Sequence, residues 1–143
     1  MDGKSIIVYY SWVGNTAAVA EEIKVQTGFD IQEIKERKER KESNIPGDAL
    51  GAFFGFKSRI KPLDFELKNY NQVLLGAQIW AGKTTPAINT YLHKAKFKGK
   101  KVWLFITLAD DKAPIKVIES MTKRIKKKAV SKAVFQSLCK PSN

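Results

Sequence analysis

Six consecutive residues concentrate the polar chemistry of the chain: Ser11-Trp12-Val13-Gly14-Asn15-Thr16. Ser11, Asn15 and Thr16 offer side-chain hydrogen bonds, and Gly14 lets a ligand come close to the backbone. Before them runs Ile6-Ile7-Val8-Tyr9-Tyr10, a β-branched and aromatic stretch that predicts a buried strand. After them, Thr16 to Ile23 has helical spacing, with Val19, Ala20 and Ile23 on one face. A strand, a polar turn and a helix start make an anion site. The first N–H groups of a helix have no internal acceptor, and the helix dipole places partial positive charge there. Phosphate is the natural guest. The turn lacks the lysine of a nucleotide-triphosphate loop and the three spaced glycines of a dinucleotide fingerprint. A capped strand-to-helix turn that binds nothing would carry similar residues.

The elements that must hold this turn alternate along the chain. Strand one is expected at Ser5–Tyr10 and helix one at Asn15–Gln26, stopped by Thr27-Gly28. Phe29–Ile34 alternates apolar and polar residues, which predicts a half-buried strand two at the sheet edge. Lys35–Glu42 carries five positive and three negative residues and no apolar one, so it reads as a solvated loop or a helix extension held by i,i+4 pairs. A short helix through Ala49–Lys57, with Phe53, Phe54 and Phe56, is expected to pack on the sheet. Gln72–Ala77 is nearly all apolar, as a central parallel strand requires, and Gln78–Lys83 forms the loop at its C-terminal end. Thr85 is the expected cap and Pro86 the first residue of the next helix, whose apolar face is Ile88, Tyr91, Leu92 and Ala95. Strand four is Lys101–Thr107. A helix follows from about Ile115 to Lys128, with Val117, Ile118, Met121 and Ile125 inward, and strand five is Ala129–Leu138.

This alternation predicts an α/β fold in a single domain, 1–143: a doubly wound, parallel five-stranded sheet with helices on both faces. Ligands of such sheets bind beyond the C-terminal strand ends, where the strand order reverses. The 143 residues suffice for one ordinary core. No apolar run is long enough to span a membrane, and the single Cys139 excludes an internal disulfide and fits a reducing cytoplasm. One cysteine and one histidine, His93, argue against a metal site; His93 is expected near a helix C-terminus, where it complements the dipole. The net charge is +12, and Lys94–Lys132 alone holds 13 Lys and Arg against three acids. Such a surplus favours anionic partners: nucleic acid, an acidic protein or an anionic membrane surface. Nucleic acid is disfavoured, since no basic and aromatic stacking platform is evident.

With Tyr9-Tyr10 before it, the Ser11–Thr16 turn resembles the flavin mononucleotide (FMN) phosphate loop of the flavodoxin family. A second stretch, Tyr70–Gly82 with Pro86-Ala87 and Tyr91-Leu92 after it, is similar to that family's third strand and the loop lying along the flavin ring. The resemblance covers about residues 5–135 and implies strand order 2-1-3-4-5, the order for which FMN at the β1/β3 switch point is a known example. It implies that Ser11, Gly14, Asn15, Thr16 and the backbone of Trp12 and Val13 hold the phosphate. Ile79, Trp80, Ala81 and Gly82 would flank the ring, and Thr107, Leu108, Ala109 and Asp110 would line its other edge. Val13 stands where the family has a hydroxyl, and Thr107–Asp111 lacks the family's glycines. The family's final helix is expected to be missing after strand five. One sheet face is then expected to rest on helix one alone, and a homodimer is expected to cover it.

The resemblance implies a cytoplasmic FMN-binding protein of electron transfer or flavin-dependent redox chemistry, an electron carrier or oxidoreductase, with an acidic redox partner. No acid or base in the two loops stands out as catalytic. The alternative is a degenerate flavodoxin-like domain without flavin, working as a basic protein- or nucleic-acid-binding module.

Overall fold

The computed structural model describes residues 3–38, 57–80, 82–108, 115–126 and 138–139. Its elements run β1 (Lys4–Tyr9), α1 (Asn15–Thr27), β2 (Asp30–Glu33), β3 (Tyr70–Trp80), β4 (Lys83–Thr84), α2 (Pro86–Lys94), β5 (Lys101–Thr107), α3 (Ile115–Lys126) and β6 (Leu138–Cys139). Five of the strands pair in the order β2-β1-β3-β5-β6, and every pairing along that path is parallel. The expected order 2-1-3-4-5 is therefore the observed one, with β5 and β6 as its fourth and fifth strands. β4 is an addition: it turns back on β3 as a short antiparallel hairpin, Ile79 opposite Thr84 and Trp80 opposite Lys83. The stretch read as a loop after strand three is thus strand up to Trp80. The expected Phe53, Phe54 and Phe56 helix, and Ala129 to Ser137 of strand five, lie outside the described residues.

Alternation along each strand divides the core in two. Ile6, Val8, Val73, Leu75, Ala77, Val102, Leu104 and Ile106 face α2 and α3, where Ile88, Tyr91, Leu92, Val117, Met121 and Ile125 meet them. Ile7, Tyr9 and Phe105 face α1, against Ala20 with Ala17, Val19 and Ile23 beside it. This is the period-two pattern of a sheet covered on both sides. α2 is buried from Pro86 to Leu92, and starts where Thr85 Oγ1 accepts the Ile88 N–H at 3.4 Å. α1 ends at Gly28, whose φ of 71° lies in the left-handed region and whose N–H donates to the Lys24 carbonyl at 2.8 Å. His93 is exposed in the last turn of α2.

Gly76 is the point where the α1 face meets β3. A methyl group at this position would overlap the ring of Phe105, which lies across the glycine from the neighbouring strand. Gly76→Ala is expected to displace that ring and lower stability by about 1–3 kcal/mol, the usual cost of overpacking a close-packed core. Denaturant unfolding with an unchanged midpoint would contradict it.

Candidate functional site

The turn between β1 and α1 is built around Gly14. Its φ of 98° falls where L side chains are strained, and space above it is open, with nothing within 4 Å of a Cβ placed there. Gly14 is also the N-cap of α1, so no side chain caps the helix. Its carbonyl accepts the first helical bond, from Ala18 at 2.9 Å. The N–H groups of Asn15, Thr16 and Ala17 are then the helix's orphan donors. No acidic residue stands in the first turn to compete with an incoming anion. These donors are left for an acceptor from outside the helix.

Neighbouring strands hold the turn in place. The Tyr10 N–H donates to the Gly76 carbonyl at 3.2 Å, and the Trp12 N–H donates to Gln78 Oε1 at 2.9 Å. Within the turn, the Gly14 N–H donates to Ser11 Oγ at 3.1 Å. Thr16 is fully buried, and its hydroxyl lies 2.6 Å from that of Thr107 at the end of β5. Val13 and Asn15 are exposed, and Ser11 and Trp12 partly so. The structure thus gathers Ser11–Thr16 and Thr107 around the C-terminal ends of β1, β3 and β5.

Gln78 escaped the sequence reading, although its signal was present. It follows Leu74 and Gly76 at period two, and therefore shares their face with α1. Ile79 lies on the opposite face with its side chain in the core, 8 % exposed, so it reaches the ring side only through its backbone. Gly82 closes the β3–β4 hairpin with φ 71°. Leu108 is partly buried against the α2 and α3 core. Ala81, Ala109 and Asp110 lie outside the described residues, as does the side chain of Trp80.

The hairpin is itself fastened from below. Thr84 Oγ1 donates to Asn89 Oδ1 at 2.5 Å, and Arg124 Nη1 of α3 donates to the same Oδ1 at 2.9 Å and to Thr84 Oγ1 at 3.3 Å. Burial pushes the Arg124 guanidinium pKa down, although not far enough to discharge an arginine. Its described partners are neutral oxygens.

A cavity of about 370 Å³ opens on the β2 side of the turn, lined by Tyr10, Ser11, Trp12, Glu33, Ile34, Lys35, Glu36 and Lys61. None of these residues belongs to β3 or β5. Tyr10 donates its hydroxyl to Glu36 Oε2 at 3.0 Å across its base. Tyr9, buried on the other face, has its phenol pKa raised by that burial and secondarily by Glu33 and Glu21. Among the described residues no group of three or more His, Cys, Asp or Glu could hold a metal ion, and no helix is long and apolar enough to cross a membrane.

A parallel sheet in this order with helices on both faces is the flavodoxin-like fold, and solved structures bear this out. The chain superposes on a candidate flavoprotein from Bacteroides eggerthii DSM 20697 with a TM-score of 0.82 and 21 % identity, covering 96 % of this chain and 88 % of that one. It superposes on a Lactobacillus acidophilus NCFM flavoprotein in complex with FMN with a TM-score of 0.71 and 23 % identity, covering 96 % and 93 %. The oxidised flavodoxin 1 of Bacillus cereus matches with a TM-score of 0.60 and 15 % identity, over 99 % and 88 %. No family model matches the sequence. No curated protein matches it either.

Because one side-chain oxygen anchors the turn to β3, Gln78→Ala is expected to loosen it. Amide exchange at Trp12 should speed up several-fold, in line with the net worth of about 1 kcal/mol for a neutral hydrogen bond. Unchanged protection at Trp12 would show that the turn holds without this bond.

Proposed function

We propose that the protein binds FMN and serves in electron transfer or flavin-dependent redox chemistry. The observation that carries this reading is the start of α1: a glycine cap, no acid in the first turn, and three backbone donors aimed past an exposed turn. The phosphate fits there, held by the N–H groups of Asn15, Thr16 and Ala17, with the side chain of Asn15 able to add a bond. The β3–β4 hairpin, ending at Gly82 and braced by Arg124, flanks the place for the ring. When bound, the flavin supplies the redox chemistry; this chain orients it and sets its electrostatics. The FMN complex of the Lactobacillus acidophilus neighbour supports this reading over a flavin-free binding module.

Charge sets the direction of the potential. A chain of net charge +12 favours the more negative, reduced form of a bound flavin and should raise its potential above that of free flavin. The same surplus steers an acidic partner protein toward the site in the cytoplasm. Titration with FMN should quench flavin fluorescence, give a yellow protein and yield a two-electron potential above free flavin. A colourless protein that leaves the fluorescence unquenched would overturn the reading, and a potential at or below that of free flavin would overturn the electrostatic part.

The α1 face also belongs to this proposal. There Leu74 and Trp103 are only partly buried, and α1 is the one described helix on that side. Two copies are expected to pair through it. Sedimentation at micromolar protein should show a dimer; a compact monomer would refute the pairing.

A further inference from the structure

Beyond β2 the chain forms a second, smaller ribbon. Glu36 stands opposite Ile60 in an isolated antiparallel bridge. The Arg37 N–H donates to the Arg59 carbonyl at 2.9 Å, and the Lys61 N–H donates to the Lys35 carbonyl at 2.7 Å. Lys35–Arg37, read from sequence as solvated loop or helix extension, is therefore extended and paired. Alternation does the rest. Ile60 points into the core at 4 % exposure, so Lys35 and Lys61, and likewise Arg37 and Arg59, stand opposite each other on the other face. All four are exposed.

Like charges directly opposite one another destabilise an antiparallel pair. Glu33 Oε2 lies 3.6 Å from Lys35 Nζ at a half-exposed site, and Arg37 Nε donates to the Ile60 carbonyl at 3.3 Å. Glu36 lies on the inward face and accepts from Tyr10. The ribbon is nevertheless firmly placed: the Ser58 N–H donates to the Pro86 carbonyl at 3.3 Å, and Thr90 Oγ1 donates to the Ser58 carbonyl at 2.6 Å. Lys35 and Lys61 also border the cavity that Ser11 and Trp12 line, so the cations stand at the rim of the anion-binding turn.

We propose that this four-cation face is the docking surface for an acidic protein segment. Alternate side chains along either strand are about 7 Å apart, a spacing that alternate carboxylates of an extended acidic segment reproduce. Glu33 and Glu36, beside the patch, oppose a continuous phosphate track and favour a short carboxylate cluster over nucleic acid. The inference rests on the flavin reading only for the reason a partner should approach this rim; the docking itself needs no flavin.

The probes are an oligoglutamate peptide and a thymidine oligonucleotide of equal charge, both at low salt, on flavin-loaded and flavin-free protein. Arg59→Glu with Lys61→Glu should weaken peptide binding by about tenfold or more. Lys116→Glu with Lys123→Glu, exposed on α3, should change it little. Reversing the ribbon charges turns two repulsive pairs into attractive ones, so the unfolding midpoint should rise as peptide affinity falls. Should charge reversal unfold the ribbon, Arg59→Gln with Lys61→Gln reads the same loss without it. Equal losses in the ribbon and α3 variants, undiminished binding in the ribbon variants, or preference for the oligonucleotide would each overturn the proposal. Loss of flavin binding with peptide binding intact would overturn the flavin reading alone.

Discussion

The orphan backbone donors at the start of α1 are the constraint on which the candidate site depends. Three N–H groups need acceptors, and the helix offers none of its own. Most helices satisfy one of them with a Ser, Thr, Asp or Asn side chain at the cap. Here Gly14 holds that position, and the one hydroxyl preceding it, on Ser11, already accepts from the Gly14 N–H. The demand is left facing the open side of the turn. Everything around it keeps that orientation: Gln78 holds the Trp12 amide, and Thr16 is drawn down to Thr107, which pins the first turn of α1 across β3 to β5.

The two faces of the sheet differ in packing. On the α2 and α3 face, large side chains interdigitate, and Tyr91 packs between Phe65 and Phe97 at ring-centroid distances of 6.0 and 6.2 Å. On the α1 face the helix contributes small residues: Ala17 and Ala20 pack with Ile7, Tyr9 and Phe105, whose ring lies over Gly76.

Charge acts on a different length scale. Around the turn itself the first residues of α1 carry no charge, and the local field is that of aligned peptide dipoles. The surplus of lysine and arginine lies farther out, on the ribbon at the rim and along β5 and α3. Short-range dipoles set the field at the turn, whereas the outer cations act over roughly a Debye length, about 8 Å at physiological salt. Arg124 belongs to neither group. It is partly buried against Thr84 and Asn89, and it braces the hairpin rather than facing solvent.

The sequence alone determined the repeating strand–helix order, its parallel sense and the glycine turn before α1, because each rests on local signals. Ile6–Tyr10 is a buried strand by composition, Gly14 is required where φ is positive, and Thr85-Pro86 starts a helix by capping chemistry. Boundaries read this way held to within a few residues for β1, α1, α2 and β5. What local patterns cannot contain is the set of contacts between residues far apart in the chain. The hairpin that converts Gln78–Trp80 from loop to strand needs Lys83 and Thr84 to fold back. Gln78 becomes an anchor only because β3 lies beside β1, and the buried Thr16 hydroxyl finds its partner in Thr107, 2.6 Å away and 91 positions on. Lys35–Arg37 has no apolar residue to predict a strand, and it is paired because Ile60, 24 positions on, is buried in the core and brings Arg59 and Lys61 with it. Tertiary structure decided these, for the physical reason that burial and strand pairing are properties of two segments at once.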